Sequence, residues 1–344
     1  MLMLVAYDEK RQFIILDTTM NREQLRQARK TQHYYCPACH QALQLKIGTK
    51  NTPHFAHHKQ SACSHYFSEN ETTTHIAGKQ QLYDFFSQLG APQLEAYLPQ
   101  IQQRPDILYE RTAIEFQYSR LTHERFLERN AGYASINLTP LWLPYSQPKE
   151  NGLAIVSLSR DIQKYRHNDT LLTYNPNTEQ FIYYSALIGI TTTQFLAKIT
   201  VLPKQHQTWP FRTPRLLTRD EFELFMQLWY EQRRKLIQHY MRYRRGTQDM
   251  LLRFVYERRL ALLALPEAIG VPTDFDVEVQ PAIDWQIIYY YDYFPQGIDA
   301  FLAQHDTPRV KVEAYEQFLQ QLHTRKVSQN ELLYSQFIAF KGYN

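Results

Sequence analysis

Residues 104–118 read Arg104-Pro105-Asp106-Ile107-Leu108-Tyr109-Glu110-Arg111-Thr112-Ala113-Ile114-Glu115-Phe116-Gln117-Tyr118, and the fold follows from how this segment pairs with itself. Residues 105–109 and 112–118 are short runs of β-formers with apolar alternation, and Glu110 with Arg111 makes a hairpin turn between them. In the second strand Glu115 and Gln117 are two apart and share a face, while Ile114 and Phe116 point into the core. Asp106 lies just across the turn. Two carboxylates on adjacent strands can hold Mg²⁺ or Mn²⁺ through hard oxygen ligands, and Gln117 can orient a water or a phosphate oxygen beside them. A metal held in this way lowers the pKa of its water and stabilises charge developing on a scissile phosphate, which is the chemistry of phosphodiester hydrolysis. The spacing alone also fits an ordinary half-exposed strand on which Glu115 faces solvent.

Working outward, residues 68–89 have helical spacing, with Ile76, Leu82, Phe85, Phe86 and Leu89 near one stripe until Gly90, Ala91 and Pro92 stop it. Glu71, His75 and Lys79 fall at i, i+4 and i+8 and share a face of that helix. Placed against the strand of Glu115, this face can extend the metal site or contact the phosphate; left alone, it is a solvated ion-paired stripe. Residues 94–98 read as a further strand, 121–135 as a helix and 141–143 as a strand. The order helix, three strands, helix, strand predicts an α/β unit with a mixed sheet and flanking helices.

All three cysteines, Cys36, Cys39 and Cys63, lie in the first 66 residues, with His33, His40, His54, His57, His58 and His65. Cys36 and Cys39 are separated by two residues, and fourteen more lead to His54-Phe55-Ala56-His57. Two thiolates on a tight turn and two imidazoles can complete a tetrahedral Cys2His2 zinc site, with Cys63 or His65 able to replace either histidine. Such a zinc would be structural, because a small lobe with little core needs a staple. Buried thiols among incidental histidines are the competing reading, and a redox CxxC ranks lower without a βαβ context.

The composition, with 44% hydrophobic, 14% aromatic and 21% charged residues, excludes collagen-like, low-complexity and disordered chains. Ten glycines include no GxGxxG or GxxxxGK[ST] string, so familiar nucleotide-binding loops are absent. Three cysteines in a long chain suit a reducing compartment, no signal peptide or membrane-length apolar run is found, and a cytoplasmic protein is expected. The Pro-, Gln- and Ser-rich residues 144–151 suggest a boundary. The expected organisation is an N-terminal lobe at 1–66, the α/β unit at 67–150 and a C-terminal region at 151–344. That last region opens with a β-hairpin, 171–174 with 180–184, and a linker at 203–214. A capping box, Thr218-Arg219-Asp220-Glu221, then starts a long helical run to about residue 265.

The net charge of +4 identifies no partner, but its distribution is uneven. Residues 230–259 hold nine basic against three acidic residues. Arg233, Arg234, Arg242, Arg244 and Arg245 are interleaved there with Tyr240, Tyr243, Phe254 and Tyr256, a mixture suited to phosphate pairing and base stacking on single-stranded nucleic acid. A solvated helical face with core aromatics reads equally well.

Taken in order, Tyr34-Tyr35-Cys36-Pro37-Ala38-Cys39, His54-Phe55-Ala56-His57, His75 and Lys79, Arg104-Pro105-Asp106 and Glu115-Phe116-Gln117 resemble the competence protein CoiA family. The resemblance is strongest over residues 4–143 and weaker after 151. It implies a restriction-endonuclease-like core of the PD-(D/E)XK superfamily behind a zinc-ribbon-like lobe. It also implies a role in processing or recombining incoming DNA during natural transformation. By this resemblance Asp106 and Glu115 match the metal-binding acids, Gln117 stands where a catalytic Lys is usual, and His75 with Lys79 matches the preceding polar helix, with Glu71 a possible addition. The implied partners are DNA, single-stranded or branched, and recombination proteins. Two alternatives accompany a Mg²⁺-dependent nuclease: an accessory protein binding DNA or a recombinase that keeps the fold but cuts little, and a zinc-dependent nucleic-acid-binding module without a catalytic site.

Overall fold

The computed structural model describes residues 3–16, 20–48, 53–58, 72–212, 216–243, 246–276, 281–324 and 327–341. The N-terminal lobe contains β1 (Val5–Tyr7), β2 (Phe13–Ile15), α1 (Arg22–Thr31), β3 (Tyr34–Tyr35), β4 (Ala42–Lys46) and β5 (His54–His57). Its strands form an antiparallel sheet in the order β2-β1-β3-β4-β5. Met3 and Phe55 exchange both backbone hydrogen bonds, at 2.9 and 2.8 Å, so the far strand returns to the chain just before β1 and the sheet curls around Val5, Leu43, Leu45 and Phe55. The β1–β2 turn is held by Asp8, whose carboxylate accepts from the backbone N–H of Lys10 and Gln12, both at 2.8 Å.

The central unit is built from α2 (Thr73–Ser87), β6 (Gln93–Leu94), β7 (Ile107–Tyr109), β8 (Thr112–Gln117), α3 (His123–Ser135) and β9 (Thr139–Pro144). The sheet order is β6-β7-β8-β9, antiparallel except for the β8–β9 pair, which α3 connects as a crossover. Helix α2 starts later than its periodicity suggests because Thr72 caps it, accepting from His75 N–H at 3.2 Å. Residues 68–71, Glu71 among them, lie outside the described residues. The strand expected over 94–98 ends at Leu94, since Glu95 takes φ 49° and turns the chain.

Strand β8 is buried on both faces, which corrects the half-exposed reading. The even-numbered side lies under α2, where Phe116 meets Gly78, and the odd-numbered side lies under α3. A Cβ at position 78 would sit 2.3 Å from the Phe116 ring. Gly78→Ala is therefore expected to lower stability by about 1–3 kcal/mol, read as a reduced urea midpoint at unchanged m-value. A native midpoint would mean that α2 rides farther from β8.

The C-terminal region holds more sheet than the single hairpin expected. It contains β10 (Gly152–Ser157), α4 (Arg160–Gln163), β11 (Leu171–Asn175), β12 (Gln180–Gly189) and β13 (Gln194–Pro203), in the antiparallel order β10-β13-β12-β11. The helices that follow are α5 (Arg219–Tyr243), α6 (Met250–Glu257), α7 (Ala282–Ile288), α8 (Ile298–Leu302), α9 (Arg309–Thr324) and α10 (Gln329–Lys341). The capping box forms as read, with Thr218 N–H donating to Glu221 at 2.8 Å and Glu221 N–H donating to Thr218 at 3.2 Å. The long helical run is broken after Tyr243, and Asp249 caps a separate α6.

One apolar cluster runs from Val5 and Phe55 through Phe86, Ile114 and Phe116 to Tyr174 and Phe181, joining the lobe, the central unit and the second sheet. A second cluster packs Phe222, Phe225, Trp285, Tyr315 and Phe337 of the helices against Ile188 and Leu196. The molecule is thus mixed α/β with several sheets and a helical C-terminal region. Among the described residues no helix is long and apolar enough to cross a membrane.

Candidate active site

Strands β7 and β8 pair Tyr109 with Thr112, Leu108 with Ala113 and Ile107 with Ile114, and one step further this register sets Asp106 opposite Glu115. The pairing stops there because the Asp106 carboxylate itself accepts the Phe116 N–H at 2.9 Å. This side-chain bond replaces a ladder bond and turns the acid toward α2. His75 Nε2 approaches Asp106 at 3.5 Å and Lys79 Nζ at 3.1 Å. Burial alone would push the Asp106 carboxyl up, but Lys79, His75 and the Phe116 N–H outweigh it and hold the group well below the usual carboxylate range.

Lys79 is 1% exposed and also binds Glu95, 1% exposed, at 2.8 Å. Glu95 had no signal in the sequence. Its φ of 49° turns its carboxylate inward, where it also accepts Leu4 N–H at 3.2 Å, with the Arg104 guanidinium 3.9 Å away. The N-terminal lobe thereby touches the same charge network as α2 and β7.

Glu115, 3% exposed, faces α3 and accepts from Arg129 and from the Tyr133 hydroxyl. Arg129 also donates to Tyr133 at 2.9 Å and to the Arg104 carbonyl at 3.0 Å. Burial works against the Arg129 charge, and Glu115 outweighs it, so the guanidinium is held protonated; burial and Glu115 together push the Tyr133 hydroxyl up. Gln117 is buried and donates to the Ser119 carbonyl at 2.7 Å. The structure therefore brings Asp106, His75 and Lys79 together directly, with Glu115 and Gln117 at the adjoining strand positions. Arg129 and Tyr133 escaped the sequence reading, although their spacing of four on an amphipathic helix could have found them.

Among the described residues, three His, Cys or acidic ligand atoms come within 4.8 Å of one another at Cys36, Cys39 and His57. The Cys39 thiol lies 3.2 Å from His57 Nε2. Three of the four expected ligands, Cys36, Cys39 and His57, thus come together. His54 and His57 are three apart in a regular strand, so they face opposite sides of β5. The alternatives Cys63 and His65 lie outside the described residues.

Among the described residues the arginines of the basic segment differ in exposure. Arg233 is partly buried and donates to the Pro266 carbonyl at 3.0 Å, while Arg234 and Arg242 are exposed. Arg244 and Arg245 lie outside the described residues. Tyr240 and Phe254 are core, whereas Tyr243 and Tyr256 are exposed. The acidic Asp274 and Asp276 pair with Lys311 of α9.

Two family models match in succession: the competence protein CoiA N-terminal domain over residues 17–66 and the competence protein CoiA nuclease-like domain over residues 71–213. The competence protein CoiA of Bacillus subtilis (strain 168) is 29% identical over 192 residues, which cover 52% of this chain and 50% of that protein. The match thus spans about half the length of that relative. No solved structure matches. The two adjoining matches carry every motif from Cys36 to Gln117, and the chain belongs to the competence protein CoiA family.

Proposed function

We propose that this chain is a cytoplasmic competence protein that acts on DNA during natural transformation and recombination, as a divalent-metal-dependent phosphodiester hydrolase with a restriction-endonuclease-like core of the PD-(D/E)XK type. The observation that carries this is the placement of Asp106 opposite Glu115 beside a buried imidazole and ammonium. The donor types suit Mg²⁺ or Mn²⁺, because Asp106 and Glu115 supply hard carboxylate oxygens from neighbouring strand positions, although Asp106 turns toward α2 and Glu115 toward α3. Such an ion supplies an activated water and charge stabilisation at phosphorus. The residues of the chain do the rest. His75 orients Asp106, Lys79 places a fixed positive charge beside it, and Gln117 borders the site. Glu71, just ahead of the Thr72 cap, is a further candidate. Arg234 and Arg242, with Arg244 and Arg245, are proposed to contact single-stranded or branched DNA, and Arg233 to brace them from within.

The test is cleavage of single-stranded, duplex and branched DNA with Mg²⁺ or Mn²⁺, where metal-dependent cutting of at least one substrate is expected. One observation favours a second reading: Glu115 and Gln117 are each engaged by protein partners, Arg129 with Tyr133 and the Ser119 carbonyl. DNA binding with no cutting under either metal would establish an accessory protein, binding DNA or a recombinase, in place of the nuclease.

The thiols and imidazole of Cys36, Cys39 and His57 fit a structural Zn²⁺, whose preferred ligands they are. Purified protein is expected to carry about one zinc per chain by elemental analysis, lost in Cys36→Ser or Cys39→Ser together with thermal stability. His54→Ala should keep its zinc; loss there would restore the four-ligand set read from the sequence.

A further inference from the structure

A cavity lies where the end of β12, helix α5 and the start of α7 meet, with Ile188, Trp229, Leu236 and Ile283 among its apolar walls and Arg233 as a cation in its lining. The Arg233 side chain is partly buried, its Nε is buried without a hydrogen-bond partner, and Nη2 donates to the Pro266 carbonyl at 3.0 Å. Among the described residues no carboxylate forms an ion pair with it. Burial presses the guanidinium below its ordinary pKa, and Tyr230, Glu267 and Tyr315 offset this only in part. A charge withdrawn from water in this way is stabilised by an anion that reaches it.

The surroundings hold Arg233 in place. Gly270 takes φ 77°, a conformation that favours glycine, and a Cβ there would stand 3.0 Å from Arg233 Nε. The Trp229 indole N–H donates to the Gly270 carbonyl at 2.9 Å, and the Gln286 side-chain oxygen accepts from the N–H of Gly270 and Val271 at 2.7 and 3.0 Å. These bonds set the wall before any ligand arrives. The cavity measures about 50 Å³, several times the ~10–15 Å³ that one water needs and well short of the ~150 Å³ that holds benzene. In the same lining Asp274 at 3.2 Å and Asp276 at 3.4 Å share Lys311, two acids for one base, and this surplus of negative charge disfavours a dianion.

We propose that this cavity binds a short-chain monocarboxylate, with its oxygens on Arg233 and its alkyl body against Trp229, Leu236 and Ile283. Nε, which the Pro266 bond leaves unused, belongs to the edge of the guanidinium that pairs with a carboxylate. Inorganic phosphate offers similar oxygens but carries more charge, against which Asp274 and Asp276 act. The carboxylate of a peptide side chain brings a backbone too large for the space, so the free acid is the source assigned. The site shares no residue with Asp106, Glu115 or the thiols and depends on neither metal nor DNA.

The experiment titrates the full chain with isobutyrate and follows the indole N–H resonance of Trp229, identified by its absence in Trp229→Phe. A saturable shift with a Kd of about 0.1–1 mM is expected. Isobutyramide, of the same shape but uncharged, inorganic phosphate and N-acetylaspartate N-methylamide should each bind at least about tenfold more weakly. Arg233→Met, which keeps the length and removes the charge, should lower isobutyrate affinity by about 10- to 100-fold. Ala282→Leu fills the cavity from α7 and should abolish the shift with Arg233 still present. No shift at about 50 mM isobutyrate, an equal response to the amide, or native affinity in Arg233→Met or Ala282→Leu overturns the proposal. Tighter binding of phosphate, or of the peptide carboxylate, overturns it as well. Where neither variant folds, the amide, phosphate and peptide arms on the native chain still decide.

Discussion

On the proposed metal-dependent reading, Asp106→Asn is expected to lower DNA cleavage by about 10³-fold, because a neutral amide of the same shape holds a divalent ion poorly and several kcal/mol of charge stabilisation would pass through that ion. The chain should stay folded, since Lys79 keeps Glu95 as a partner. The same variant carries a second signature in acid. The folded Asp106 carboxyl lies below its ordinary range, so its contribution to stability is complete above about pH 4 and is lost as the pH falls toward the folded pKa. In urea titrations from about pH 2 to about pH 7, part of the native acid limb should therefore be missing from Asp106→Asn. Native cleavage rates in the variant would remove Asp106 from the reaction. An unchanged acid limb would show that Lys79 and His75 do not hold its charge.

Glu115→Ala should be costlier to the fold. The substitution strands Arg129, a guanidinium that Glu115 keeps charged in the interior, and breaking a buried pair by removing one partner costs about 3–5 kcal/mol. Glu115→Ala/Arg129→Met should recover most of that loss, because an apolar side chain of similar length leaves no buried charge. On the proposed reading cleavage should be absent in both variants, which would separate the partner of Arg129 seen in the structure from the oxygen donor proposed for the reaction. A loss below about 1 kcal/mol in the single variant would mean that Arg129 finds another partner or reaches solvent.

This stability cost is visible only in three dimensions. Glu115 was legible as an acid on a strand beside Gln117, but the sequence left open whether that face was wet. The answer depends on α3 packing over β8, and β8 is dry on both sides because the parallel β8–β9 connection lays α3 across one face while α2 covers the other. Glu95 escaped for a related reason: a lone acid after a two-residue strand carries no periodic signal, and its partners Lys79 and Leu4 are 16 and 91 positions away. Strand β10 was missed because its partner β13 lies more than thirty residues on, and β13 because residues 190–193, which join it to β12, hold no Asn, Asp or Pro to mark a turn. His57 joins the thiols and His54 faces the other side of β5, since the HxxH spacing that suits one side of a helix is split across a strand.

What the sequence determined by itself is local. Helix α2 and its apolar stripe, the Glu110-Arg111 turn, the Thr218–Glu221 capping box and the Cys36–Cys39 pair all arise from residues within a few positions of one another, where backbone geometry alone decides who can meet. Which partner each buried charge has was decided by the tertiary structure. Lys79 lies between Glu95 and Asp106, and Arg129 serves Glu115, because a charge withdrawn from water must be opposed wherever the packed elements bring an opposite charge within reach.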